Sequence, residues 1–106
     1  MNSKRINKVL VANRGEIAVR VIKTLRKLHI TSVAIFADND ANALYRRMAD
    51  EAYPLGNGAL KDTYLNVRKI IDAALDSGAD AIHPGYGFLS ESPELAEACE
   101  ASTVSM

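Results

Sequence analysis

Lys8 to Ala12 reads KVLVA, an apolar run with no polar residue at alternate places. A strand written this way has no face to offer to water and must be buried on both sides, as in a parallel sheet covered by helices. From Gly15 the period changes at once. Ile17, Val21, Leu25 and Leu28 recur every three or four residues with Arg20, Lys23, Arg26 and Lys27 between them, the pattern of an amphipathic helix ending near His29. The same alternation continues along the chain. SVAIF (Ser32 to Phe36) and the segment Ala79 to His83 read as further buried strands, and Ala52 to Leu55 as a short one.

Asp38-Asn39-Asp40 reads as a turn, Asn42 to Met48 as a short helix, and Gly56-Asn57-Gly58 as a break. Asn66 is a suitable N-cap for a helix facing inward through Val67, Ile70, Ile71 and Leu75, with Gly78 at its C′ position. Ser92-Pro93-Glu94 supplies an N-cap, a proline at N1 and a first-turn acid for a last helix that buries Leu95, Ala98 and Cys99. Strand and helix alternating four times predict an α/β, Rossmann-like fold: a parallel sheet with helices on both faces. Its expected core is Val9, Val11, Val33, Ile35, Ile70, Ile71 and Ile82.

Composition narrows what such a domain serves. Thirteen Lys and Arg balance thirteen Asp and Glu, which disfavours a nucleic-acid partner and polybasic attachment to a membrane. Cys99 is the single cysteine, so no intrachain disulfide and no thiolate metal cluster is expected. No apolar run approaches the roughly 20 residues of a membrane helix, and MNSKRINK lacks the apolar stretch of a secretory signal. The expected compartment is reducing: the cytoplasm, or the mitochondrial matrix if a presequence has been removed.

Open parallel sheets bind ligands beyond the carboxyl ends of their strands. Two loops stand there, Asn13-Arg14-Gly15-Glu16 after the first strand and His83 to Glu91 after the fourth. Gly85-Tyr86-Gly87 begins like a dinucleotide fingerprint, and Asp38 lies about 20 residues beyond the first loop, where an NAD enzyme keeps its ribose-binding acid. Yet Ser90 replaces the third glycine, and the motif follows the wrong strand. An NAD(P)-binding domain is therefore the weaker reading.

VANRGEIAVRVIKTLRKL, ADEAY, TYLN and AIHPGYGFLSES stand in an order and spacing that resembles the N-terminal domain of biotin carboxylase, from about Lys8 to Glu100. That family serves acetyl-CoA, propionyl-CoA, methylcrotonoyl-CoA, pyruvate and urea carboxylases. The resemblance implies a Rossmann-like domain preceding an ATP-grasp domain, in an enzyme that uses ATP, magnesium and bicarbonate to carboxylate biotin on a carrier protein. It places the phosphate-binding lysines and magnesium ligands downstream, so no metal site, no cofactor and no complete catalytic set is expected within this chain. A single domain over 1–106, without the ATP-grasp and C-terminal domains and without its last strand, is the corresponding expectation. The acyl, pyruvate or urea acceptor is not readable from it.

By the same resemblance Tyr86, flanked by Gly85 and Gly87, falls at the biotin site; its flat ring suits a fused bicyclic ligand, or else it caps a strand. The two glycines serve either close approach or a positive φ. His83 either joins the cleft or is hydrogen-bonded into its loop. Glu91 faces the cleft or complements a helix N-terminus. Asn13 and Arg14 belong to the first loop, where Arg14 forms a structural salt bridge or meets an acid of the next domain or an anion. Glu16 and His29 complement a helix dipole. Arg20, Lys23 and Lys27 lie on a helix that contacts a second copy in the family, but Lys27 replaces an acid found in some relatives, against such a homodimer. Ser92 stands where many relatives have Asn, a neutral exchange of caps. The alternative to an enzyme domain is a free-standing binding or assembly module that regulates a carboxylase.

Overall fold

The computed structural model describes residues 5–102, 104 and 105. Four strands, β1 (Lys8–Val11), β2 (Thr31–Ala37), β3 (Glu51–Gly56) and β4 (Ala81–His83), pair in parallel in the order β3-β2-β1-β4. They alternate with the helices α1 (Gly15–Lys27), α2 (Leu44–Met48), α3 (Val67–Ser77) and α4 (Pro93–Ala101). The chain runs outward from β1 through β2 to β3, then returns to the other side of β1. The order of strands therefore reverses between β1 and β4, and the loops leaving those two strands flank the crevice where such sheets take ligands.

The unbroken apolar runs are buried on both faces, as their lack of alternation requires. On one face Val9, Val11, Ala34, Phe36 and Ala81 meet Ala18, Val19, Ile22 and Leu25 of α1 and Tyr45 of α2. On the other, Leu10, Val33, Ile35 and Ile82 meet Ile70, Ile71 and Ala74 of α3 and Leu95 and Cys99 of α4. All seven expected core residues are buried. β3 is an edge strand, which is why it tolerates Pro54.

The helix faces differ from the sequence reading. Of the stripe Ile17, Val21, Leu25 and Leu28, only Leu25 is buried; Leu28 is exposed, and Ala18, Val19 and Ile22 face the sheet instead. Apolar residues occupy so much of the circumference of α1 that periodicity does not say which sector meets the sheet. In α3 Leu75 likewise turns outward, while Ala73 and Ala74 pack inward. The short helix begins at Leu44 rather than Asn42, and the turn at Asp38–Asp40 is a 3-10 turn.

The outer edge of β4 is not bare. Ser105 pairs in parallel with Ala81, donating its N–H to Asp80 and accepting from Ile82, and Val104 is buried against the α3–α4 face. Among the described residues the sheet itself has four strands, in keeping with the expectation that a last strand is missing; Ser105 adds one isolated bridge beside them.

Candidate functional site

Val11 and His83 are partners in the β1–β4 ladder, so the loops that follow them start side by side. Asn13 ties them together. Its side chain is buried behind the second loop, where Nδ2 donates to the carbonyls of Pro84 (2.9 Å) and Tyr86 (2.6 Å). Its Oδ1 accepts from the Arg14 backbone N–H at 2.8 Å. Gly85 adopts φ +67°, and a Cβ there would stand 2.8 Å from Ile17 Cγ2 and 3.1 Å from Asn13 Nδ2. Both reasons for a glycine at this position, positive φ and close approach, hold at once. The approach is to α1 within this chain. Gly87 has φ +64° and nothing near its missing side chain, so its role is conformational.

Arg14 turns away from the loop and makes a two-pronged ion pair with Asp40, Nε to Oδ2 and Nη2 to Oδ1, both at 2.7 Å. That is the structural salt bridge among the sequence alternatives, and its partner lies in the 3-10 turn after β2. Tyr64 donates its hydroxyl to the same carboxylate at 2.5 Å and accepts from the Ala37 N–H; the Tyr45 hydroxyl lies 2.7 Å away. The Arg14 hydrogen bonds hold the Asp40 carboxyl below the usual carboxylate range. Burial raises the Tyr45 phenol, and burial followed by the hydrogen bond to Asp40 raises that of Tyr64. Both phenols therefore stay neutral beside the Arg14–Asp40 pair.

The cluster reaches back to the second loop through Phe88, which stacks on the Tyr64 ring at 5.6 Å between centroids. Phe88 holds φ +44°, a left-handed conformation that costs a side-chain-bearing residue about 1–2 kcal/mol. The ring stack and the Asn13 hydrogen bonds hold the loop in that shape.

Between the fixed loop and α1 opens a groove of about 630 Å³, walled by Ile17, Val21 and Leu28 on one side and by His83, Gly85 and Tyr86 on the other. Arg20 and Thr24 stand at its polar margin. Tyr86 is 76% exposed. His83 is exposed, and its Nδ1 accepts from the Gly85 N–H at 3.1 Å, the loop hydrogen bond among its two sequence readings.

Of the sequence candidates, then, Tyr86, Gly85, His83 and Arg20 meet around one groove. Asn13 supports it from behind. Glu91, Lys23 and Lys27 are exposed and outside its lining. Among the described residues no three His, Cys, Asp or Glu side chains group as metal ligands. Sequence reading missed Asp40, Tyr45, Tyr64 and Phe88. Aromatic and acidic residues so far apart in sequence carry no shared periodicity; they follow β2, β3 and β4 and meet only once those strands are assembled in one sheet. Ile17, Val21 and Leu28, the apolar stripe of the amphipathic helix in the sequence, line the open groove, which explains why they are apolar.

Comparison with known proteins places this geometry. A family model described as the N-terminal domain of biotin carboxylase matches residues 5–106. The chain is 54% identical over 94 residues to a pyruvate carboxylase subunit of Methanothermobacter thermautotrophicus, covering 89% of this chain and 19% of that protein. It is 55% identical over 95 residues to biotin carboxylase 1 of Bacillus subtilis, covering 90% of this chain and 21% of that one. The crystal structure of a complete multifunctional pyruvate carboxylase from Rhizobium etli superposes with a TM-score of 0.91 at 47% identity, over 96% of this chain and 11% of that one. The chain thus spans between 13% and 21% of the length of the curated relatives it matches.

Proposed function

The chain belongs to the biotin carboxylase N-terminal domain family, and from that premise we propose that it forms one wall of a biotin carboxylase active site. The protein carrying it uses ATP, magnesium and bicarbonate to carboxylate biotin on a carrier. An ATP-grasp domain supplies the nucleotide and metal contacts, and the present chain receives the biotin side. Within that division of work, the chain's own residues bind and orient. Tyr86 offers a flat amphipathic ring to the fused bicyclic ring of biotin. The apolar wall of Ile17, Val21 and Leu28 keeps water from one side of the groove.

The observation that carries this reading is Tyr86 itself. Tyr86 is 76% exposed on a loop held by hydrogen bonds and by a stacked Phe88, and it borders the groove, so its ring stands free to pack on a flat ligand there. In the intact protein, Tyr86→Ala should lower the biotin-dependent kcat/KM by about fivefold, the worth of one ring contact, and leave bicarbonate-dependent ATP hydrolysis unchanged. Equal loss of both activities, or of neither, overturns the assignment of Tyr86 to biotin.

A further inference from the structure

We propose that Asn13 is the positioning residue for Tyr86, its carboxamide setting where the ring stands over the groove. This rests on the reading of Tyr86 as the biotin platform. Asn13 is fully buried, yet it lies outside the apolar clusters, and each of its polar atoms has a partner in one of the two loops. Both donors of Nδ2 are spent on the carbonyls of residues 84 and 86, on either side of the glycine that touches Ile17. The carboxamide spans the turn and holds the 84–85 and 86–87 peptide planes, the second of which adjoins the Tyr86 Cα and helps set the direction of its Cα–Cβ bond. Few other side chains of that size carry two donors and an acceptor at once. Asp in its place is isosteric but presents acceptors only, and those would face two carbonyl oxygens.

Two variants of the intact protein separate positioning from mere space filling. Losing two hydrogen bonds in Asn13→Ala should raise the KM for biotin by about threefold, no more than the loss of the ring itself, with bicarbonate-dependent ATP hydrolysis within about twofold of the parent. Asn13→Asp, which keeps the volume, should be impaired at least as much near neutral pH. In both, the amides of residues 85–88 should exchange with deuterium faster while those of Leu10 and Val33 keep their protection. Folded variants with unchanged exchange in that loop overturn the proposal, as does an Asn13→Asp protein with parental biotin kinetics. Loss of the fold in both variants makes Asn13 a residue of the core and also overturns it. A looser loop without any change in biotin KM overturns it too, and Tyr86→Ala then tells which premise failed. If that variant raises the biotin KM, the platform stands and only the Asn13 inference falls. If it does not, the platform reading falls as well.

Discussion

Asp40 accepts hydrogen bonds from three donors, two on Arg14 and one on Tyr64, and its side chain is nearly closed off from water. A carboxylate so held is favoured in its charged form. Its folded-state pKa accordingly lies below the unfolded one, with the Arg14 hydrogen bonds the largest cause. The stability it contributes is present above the unfolded value of about 4 and is lost as pH falls through the lower folded value. Comparing the chain with Asp40→Asn by urea unfolding at several pH values should show a stability gap that is full at neutral pH and narrows below about pH 4. A gap independent of pH would mean that the charge of Asp40 contributes nothing to the fold. This residue also shows where sequence reading stops. Asp38-Asn39-Asp40 announces a turn by composition, but nothing local says that Arg14 and Tyr64 converge on its last member, with Tyr45 behind Tyr64. Tyr86 and its glycines, by contrast, were legible because the motif that carries them is contiguous.

At the scale of elements, the legible features were those whose chemistry is confined to four or five neighbouring residues. Asn66 accepts from the Lys69 N–H and Ser92 from the Leu95 N–H, as their capping positions require. Gly78 takes φ +73° at the end of α3, with the paired bonds Gly78 to Leu75 and Ala79 to Ala74 of a Schellman closure. The end of α1 repeats that closure through His29 to Arg26 and Ile30 to Leu25, but places a histidine at φ +60° where a glycine is favoured. The sequence reading gave His29 a dipole role, since a histidine at that place does not disclose a left-handed backbone. Its side chain is exposed, so little packing compensates the strain. His29→Gly should therefore raise stability by about 0.5–1 kcal/mol, after allowance for the greater freedom of glycine in the unfolded chain. The midpoint of urea unfolding measures it. A lower midpoint would show that the imidazole makes a contact worth more than the relief of strain.

The whole molecule divides its labour by face and by edge. Two apolar faces hold the sheet between helix pairs, and that much followed from strands that never alternate. Which strands neighbour one another did not follow from any single segment; the order β3-β2-β1-β4 is what sets Asn13 beside Tyr86 and creates a binding edge. That edge is poorly suited to phosphate. The two loops that form it, 13–16 and 83–91, contain no lysine but carry Glu16 and Glu91. Its one arginine, Arg14, is engaged by Asp40. A phosphate site at a helix N-terminus draws on free backbone N–H groups and a nearby cation, whereas Glu16 already places a carboxylate in the first turn of α1. Titrating the 106-residue chain with Mg-ATP in a calorimeter should accordingly give no binding tighter than about 1 mM. Micromolar binding to this chain alone would move the nucleotide contacts onto the β1–β4 edge, and the groove beside Tyr86 would then have to be reconsidered as part of a nucleotide site.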